Sequence, residues 1–137
     1  MTIAARIQQV QEQIAAACAR ARRDPSGVTL VAVSKTHPAA VVLAAAEAGL
    51  QHFGENRVEE AITKIPAVNR EASMPLTWHM IGHVQSRKAK LVLPLFDLVH
   101  SVDSVRLAEK FSVLALEQKR TLDILLEVNV SGEASKY

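Results

Sequence analysis

A lysine placed directly after an apolar run is the first residue whose position suggests chemistry. Lys35 follows Val-Ala-Val-Ser at positions 31–34 and precedes Thr-His-Pro at positions 36–38. Strand ends that feed βα loops are where barrel enzymes place their reactive groups. A lysine that is partly desolvated in such a loop has a lowered pKa, and its amine can attack an aldehyde to form a Schiff base. A solvated surface lysine is the alternative interpretation.

Polar residues follow other apolar runs at comparable positions. Asn56 comes after Phe-Gly-Glu, where it would hydrogen-bond a ligand or cap the next helix. Its neighbours Glu55 and Arg57 are expected to be solvated charges. Ser101 and Asn129 close two later apolar runs, and each serves either a site or only a cap or turn.

Two histidines, His79 and His83, have the four-residue spacing of metal ligands on a helix. The surrounding sequence, Trp-His-Met-Ile-Gly-His, contains a glycine and is apolar like a strand, which argues against a helix there. We therefore expect no metal site. His79 is interpreted as an interior histidine that is structural or lines a pocket.

The densest basic cluster is Gln-Ser-Arg-Lys-Ala-Lys at positions 85–90. At a helix N-terminus it could attract a phosphate or a nucleic-acid backbone. No aromatic side chains interleave with it, and the whole chain carries a formal net charge of only +2. We therefore expect a solvated helix face and no nucleic-acid partner, with a nucleic-acid-binding module as the alternative.

The elements that must position these residues alternate between helices and strands. Apolar periodicity predicts helices over residues 3–21, 38–49, 56 to about 66, and 85–93, and a fifth that is capped by Ser101 or Asp103 and buries residues 107–115. Strands are predicted at 28–33, 51–53, 76–81, 96–100 and 122–130. Strict alternation with short connections implies a parallel sheet.

Two architectures with a parallel sheet compete, an open doubly wound sheet and a (β/α)₈ TIM barrel. The last strand carries Asp123, Glu127 and Asn129 on one face, which suits a polar barrel interior better than a doubly covered sheet. A barrel needs about 250 residues. The chain supplies four βα units and a fifth strand after an N-terminal helix, so we expect residues 1–137 to form a partial barrel domain that is truncated at its C-terminus.

Composition limits the class of protein. Hydrophobic residues make up 49% of the chain and charged residues 22%, the balance of a globular protein and not of a disordered one. No apolar run is long enough to span a membrane, and the N-terminus lacks the apolar block of a signal peptide. The single cysteine, Cys18, cannot form an internal disulfide. We expect a cytoplasmic protein with no membrane partner.

Six segments at strand ends together resemble the YggS/PROSC family of pyridoxal phosphate homeostasis proteins. In chain order they read AVSKT, FGEN, WHMIG, QS, HSVD and VNVS, starting at residues 32, 53, 78, 85, 100 and 128. The resemblance covers nearly the whole chain. It implies a single (β/α)₈ barrel similar to the N-terminal domain of alanine racemase. It also implies that Lys35 carries pyridoxal 5'-phosphate (PLP) as a Schiff base, and we expect further cofactor contacts from Asn56, His79, Ser101 and Asn129.

The resemblance implies a carrier or regulator of PLP without catalytic turnover, whose partners are PLP and PLP-dependent apoenzymes. The alternative is a PLP-dependent enzyme of fold type III, similar to an amino-acid racemase. Such an enzyme needs a second acid/base group opposite Lys35, and the candidates are His79 and a residue from the missing half. The racemases use a tyrosine from a second domain, whereas the one tyrosine of this chain is Tyr137, at its end.

A partial barrel leaves two sheet edges without partners. The family resemblance places the phosphate-binding loops after late strands, beyond these 137 residues. We therefore expect the chain to associate with a second copy or with the missing C-terminal half, because open edges and uncovered apolar side chains favour association. Val31, Val33 and Leu125 are the apolar residues expected to be left uncovered.

Overall fold

Five parallel strands form the sheet of this protein, and a computed structural model describes residues 1–134. The strands lie in chain order: β1 Ala32–Val33, β2 His52–Glu55, β3 Thr77–Met80, β4 Leu98–Val102 and β5 Asp123–Leu126. The helix α1 Ile3–Ala21 precedes them, and the connecting helices are α2 Ala39–Glu47, α3 Val58–Glu71, α4 Ala89–Val92 and α5 Val105–Glu117.

The strand order distinguishes the two predicted architectures. A doubly wound sheet reverses its strand order at a switch point, whereas this sheet runs from β1 to β5 without reversal. Successive right-handed crossovers in one direction place the helices on one face of the sheet, as in a barrel. The predicted fold class, four βα units and a fifth strand after an N-terminal helix, is confirmed as part of a (β/α) barrel.

The apolar core lies between the sheet and its helices. Phe53 on β2 and Trp78 on β3 are paired in register, and their ring centroids are 5.6 Å apart. Ile65 and Val68 on α3 are also buried in this core. Fully burying a side chain of this size contributes roughly 1.5–3 kcal/mol. Within residues 1–134, no helix combines the length and apolar character needed to cross a membrane.

The strands differ from their predicted ranges because hydrogen-bond partners, and not apolar runs, set their ends. β1 keeps only two of the six predicted residues, since β2 is its one partner in the described part of the chain. β4 starts and ends two residues later than predicted. β5 ends at Leu126 instead of Val130, because β4 ends opposite it: Leu126 is in register with Val102, and the last hydrogen bond to β4 is from the Glu127 N–H to the Val102 carbonyl at 2.9 Å.

Two predicted helix ranges are wrong. α3 continues through Pro66 to Glu71, although a proline inside a helix costs about 3 kcal/mol. Ile65 and Val68 on either side of Pro66 are buried, and their packing holds the helix together there. The predicted helix over 85–93 is a 3₁₀ turn, Ser86–Lys88, followed by the single turn of α4.

The predicted N-caps of α3 and α5 are also wrong. α5 is capped by Ser104, whose Oγ accepts from the Leu107 N–H at 3.1 Å, and not by Ser101 or Asp103. Asn56 does not cap α3, because Arg57 occupies the N-cap position and makes no side-chain cap hydrogen bond. The polar group of Asn56 is therefore left for another purpose. Tyr137 lies outside the described residues.

The face of the sheet opposite Trp78 carries a row of three histidines. His79 Nε2 lies 3.0 Å from His52 Nδ1, and His79 Nδ1 lies 2.8 Å from His100 Nε2. Burial, followed by the neighbouring His100 and His52, lowers the pKa of His79 to about 4. Burial also lowers the pKa of His100. His79 is therefore a neutral imidazole at neutral pH, fixed between its two neighbours.

We expect this row to make stability depend on pH between about 4 and 6.5. In that window the unfolded chain binds a proton at His79 and the folded chain does not, so the free energy of unfolding falls as the pH is lowered, by about 3 kcal/mol at most. His79→Gln removes this contribution and should flatten the pH dependence measured by urea unfolding.

The exposed His37 supplies the control, since His37→Gln should leave the pH dependence as it is in the parent protein. If the free energy of unfolding changed equally with pH in the parent protein and in His79→Gln, the prediction would be contradicted.

Candidate functional site

The carboxyl ends of the parallel strands form one edge of the sheet, and polar residues collect there. Lys35 comes two residues after β1, Asn56 directly follows β2, and Asp103 directly follows β4. In barrel enzymes this is the edge that carries the active site. It is the candidate site of this protein.

Lys35 lies in the turn between β1 and α2, and its side chain is exposed. The N–H of Ser34 donates to the Gly54 carbonyl at 2.9 Å, so pairing with β2 continues past the end of β1 and brings the Lys35 turn beside Asn56. Among residues 1–134, the Lys35 amine has no ion pair or hydrogen bond. An unpaired primary amine at this edge is available to react with an aldehyde.

The residues on both sides of Lys35 are held by α3. Lys64 Nζ donates to the Ser34 carbonyl at 2.8 Å, and the Thr36 N–H donates to Glu60 Oε1 at 2.7 Å. Thr36 has a φ of 65°, in the left-handed region that costs a residue with a side chain roughly 1–2 kcal/mol. The contacts from α3 hold the turn in this strained conformation.

The Lys64 ammonium is buried, and three hydrogen bonds satisfy it. Besides the Ser34 carbonyl, Nζ donates to Glu55 Oε1 at 2.7 Å and to Glu60 Oε1 at 2.6 Å. Burial acts to lower the pKa of Lys64, but the hydrogen bonds to Glu55 and Glu60 outweigh it and the pKa is raised. The hydrogen bond from Lys64 is the main cause that lowers the pKa of Glu60. Lys64 is therefore a fixed cation at neutral pH.

Glu55 is not the solvated charge that the sequence predicts. Its side chain is fully buried and also accepts from Ser34 Oγ at 3.0 Å. Glu55 is two residues after Phe53 on the same strand, so alternation turns both toward the helices. That alternation, together with the Glu60–Lys64 spacing of four residues on α3, was the signal available in the sequence. Arg57 is exposed, as expected.

Gly82 connects Asn56 and Ser101 at the same edge. A Cβ at Gly82 would lie 2.1 Å from the Asn56 carbonyl oxygen, so only glycine permits this close approach. The Gly82 carbonyl accepts from the buried Ser101 Oγ at 2.6 Å. The side-chain Oδ1 of Asn56 is buried and has no hydrogen-bond partner within residues 1–134. Asn56 thus offers a ligand an unpaired acceptor, whereas the Ser101 hydroxyl proton is used to hold the loop.

The remaining predicted site residues are His79 and Asn129. His79 is in the middle of β3, in the histidine row. Asn129 is exposed beyond the end of β5, and its Nδ2 donates to the Glu133 carbonyl at 2.9 Å. β1 and β5 are the two edge strands of the sheet, so Lys35 and Asn129 are separated by three strands. The structure places Lys35 and Asn56 at the ends of the neighbouring strands β1 and β2, Ser101 near the end of β4, and Asn129 beyond the end of β5.

His83, the other half of the metal-like spacing, lies 3.5 Å from the Asp103 carboxylate. In the described part of the chain, no group of three or more histidine, cysteine or acidic residues is arranged to hold a metal ion.

Comparison with known proteins agrees with this geometry. Residues 6–134 match the family model of the alanine racemase N-terminal domain. Pyridoxal phosphate homeostasis proteins are 46% identical in Pseudomonas aeruginosa and 40% identical in Escherichia coli K12, in each case over 98% of this chain and 57% of the relative. The chain thus spans little more than half the length of these relatives.

Solved structures give the same result. PipY of Synechococcus elongatus is 41% identical, and its structure without PLP superposes with a TM-score of 0.83 over 98% of this chain and 57% of that chain. Its structure with PLP bound gives a TM-score of 0.81 over 97% of this chain and 57% of that chain. The chain belongs to the alanine racemase N-terminal domain family, within which it resembles the pyridoxal phosphate homeostasis proteins.

Proposed function

We propose that this chain is the Lys35-bearing part of a PLP-binding protein of vitamin B6 homeostasis. The observation that carries the proposal is the unpaired Lys35 amine at the carboxyl edge of the sheet, in a turn whose backbone is fixed on both sides. Four of the relatives and neighbours above are named for PLP homeostasis or for the presence or absence of PLP, which supports the choice of ligand.

The chemistry proposed for Lys35 is formation of a Schiff base. Lys35 would hold the cofactor covalently, because a primary amine condenses with an aldehyde, and the two amine hydrogens and the aldehyde oxygen are lost as water. PLP supplies the aldehyde when it is bound. We propose that Asn56 Oδ1, which is buried and unpaired, accepts a hydrogen bond from a donor on the ligand. We propose that the phosphate of PLP is bound by loops that follow later barrel strands, as the family resemblance implies.

A carrier fits the described residues better than a racemase-like enzyme. A racemase needs a second acid/base group opposite Lys35, and within residues 1–137 the candidate is His79. His79 is buried between two other histidines, and its pKa of about 4 makes it a poor proton donor at neutral pH. We propose that PLP-dependent apoenzymes are the recipients. Racemisation or decarboxylation of D- or L-amino acids by the PLP-loaded protein would favour the enzyme instead.

A cytoplasmic location is part of the same proposal. Cys18 is the only cysteine of the chain and is buried as a free thiol in α1. A reducing compartment suits a chain that forms no internal disulfide. Fractionation of cells that produce the protein would test this location.

Lys35→Ala should abolish covalent PLP binding. The parent for this test is a longer protein that contains these residues. It is expected to absorb in the visible when loaded with PLP, and borohydride should fix the cofactor to the chain by reducing the Schiff base. Lys110→Ala, a change at an exposed lysine on α5, is the control and should behave like the parent. A reducible covalent adduct that persists in Lys35→Ala would show that Lys35 is not the anchor.

We also infer that both open sheet edges are covered in the working protein, by a second copy or by further strands. Val33 on β1 and Leu125 on β5 are about half exposed, and Leu126 is 71% exposed. At roughly 25 cal/mol per Å² of apolar surface, covering several such side chains contributes several kcal/mol. This is comparable with the net stability of a whole domain, ~5–15 kcal/mol.

Residues 1–137 alone are therefore expected to associate and not to behave as a stable monomer with tight PLP binding. Size-exclusion chromatography with light scattering measures the association directly. A monodisperse, cooperatively unfolding monomer of about 15 kDa that binds PLP as tightly as a longer protein containing these residues would contradict the inference.

A further inference from the structure

We propose that Glu60 and Lys64 on α3 are positioning residues for Lys35. They hold the two peptide groups that flank the Lys35 Cα, and in this way they set the direction in which the Lys35 side chain leaves the backbone. The inference rests on the proposed role of Lys35 as the PLP anchor. It adds a role for two residues of α3 that carry no reacting atom themselves.

The geometry is specific to the two peptide bonds of Lys35. The peptide group before Lys35 contains the Ser34 carbonyl, which accepts from Lys64 Nζ at 2.8 Å. The peptide group after Lys35 contains the Thr36 N–H, which donates to Glu60 Oε1 at 2.7 Å. Glu60 Oε1 and Lys64 Nζ are themselves joined at 2.6 Å. One ion pair thus holds both sides of a single residue.

The turn needs this support because of its backbone conformation. Thr36 is β-branched and adopts a φ of 65°, which such residues avoid unless the surroundings impose it. The Glu60 carboxylate accepts the hydrogen bond from the Thr36 N–H. Without it, the turn is expected to relax toward ordinary φ values and to carry Lys35 away from its position beside Asn56.

Glu60 and Lys64 together form a clamp on the Lys35 turn, and the burial of Lys64 fixes this clamp to the sheet. An ammonium group has three N–H donors, and those of Lys64 are used by Ser34, Glu55 and Glu60. Glu55 is fully buried on β2, so the position of Lys64 is tied to the sheet and not only to α3. The position of the Lys35 turn is therefore fixed relative to β2, the strand that directly precedes Asn56.

Glu60 is the residue to change, because its side chain is 30% exposed and its loss should not unfold the protein. Glu60→Ala removes the acceptor from the Thr36 N–H. Glu60→Gln keeps an amide oxygen that can accept the same hydrogen bond but loses the charge. Glu59→Ala is the matched control, since Glu59 is the adjacent acidic residue of the first turn of α3 and pairs with Lys88 instead.

The first measurement needs no cofactor. Hydrogen–deuterium exchange of the Thr36 amide, read in the full chain without PLP, should become about tenfold faster or more in Glu60→Ala. Glu60→Gln should retain part of the protection, and Glu59→Ala should exchange like the parent. Unchanged exchange in Glu60→Ala would overturn the inference, because the clamp would then not hold the turn.

The second measurement is the rate constant for Schiff-base formation after mixing with PLP, followed by visible absorbance. Misplacement of a reacting group by about 1 Å costs up to about a hundredfold, so Glu60→Ala should react about ten- to a hundredfold more slowly while still forming the adduct on Lys35. Glu60→Gln should recover part of the rate, which a general loss of stability would not do. An unchanged rate in Glu60→Ala would overturn the positioning role.

The two measurements separate this inference from the proposed function. If the parent protein forms no adduct on Lys35, the proposed function fails and the inference falls with it. If the parent forms the adduct and Glu60→Ala forms it equally fast, the proposed function stands and only the positioning role is wrong. Faster Thr36 exchange together with slower adduct formation in Glu60→Ala supports both.

Discussion

The buried ammonium group of Lys64 is the interaction on which the geometry of the site depends. Removing a charge from water costs several kcal/mol unless its hydrogen bonds are replaced, so Lys64 can be buried only where three acceptors meet it. Those acceptors come from the end of β1, the end of β2 and the first turns of α3. Satisfying one charge therefore brings three elements together at the strand end where Lys35 follows. The ion pairs of Lys64 with Glu55 and Glu60 add little net stability by themselves, and their effect is to fix one arrangement of the Lys35 turn.

An exposed lysine on a rigid turn suits a protein that takes up a cofactor and passes it on. The Lys35 side chain is accessible from solvent, whereas Ser34 on one side is buried and Thr36 on the other is held from α3. The polar neighbours along the edge are few, and the Ser101 hydroxyl proton already has an acceptor in the protein. In the function proposed above, this accessibility is what lets Lys35 serve as the anchor for PLP.

Sequence reasoning recovered the order of the elements and the position of Lys35, because both follow from local periodicity and from the rule that reactive groups lie at strand ends. Element ends were less accurate: β1 and β5 are short because pairing partners limit them, and Pro66 does not end α3 because its neighbours are buried. The burial of Glu55 was missed because a charge is tolerated inside only where a partner reaches it, and that partner, Lys64, lies on another element. The histidine row joins residues 27 and 21 positions apart, which become neighbours only through the register of β2, β3 and β4.

The central claim is that one lysine, at the end of β1, receives PLP. It is tested most directly on a longer protein that contains these residues, by loading it with PLP, reducing it with borohydride, digesting it and locating the pyridoxyl group by peptide mass spectrometry. The account predicts modification of the peptide that contains Lys35, at a stoichiometry near one per chain. Modification centred on another lysine, such as Lys64 or Lys88, or spread over the exposed lysines with no preference for Lys35, would contradict it.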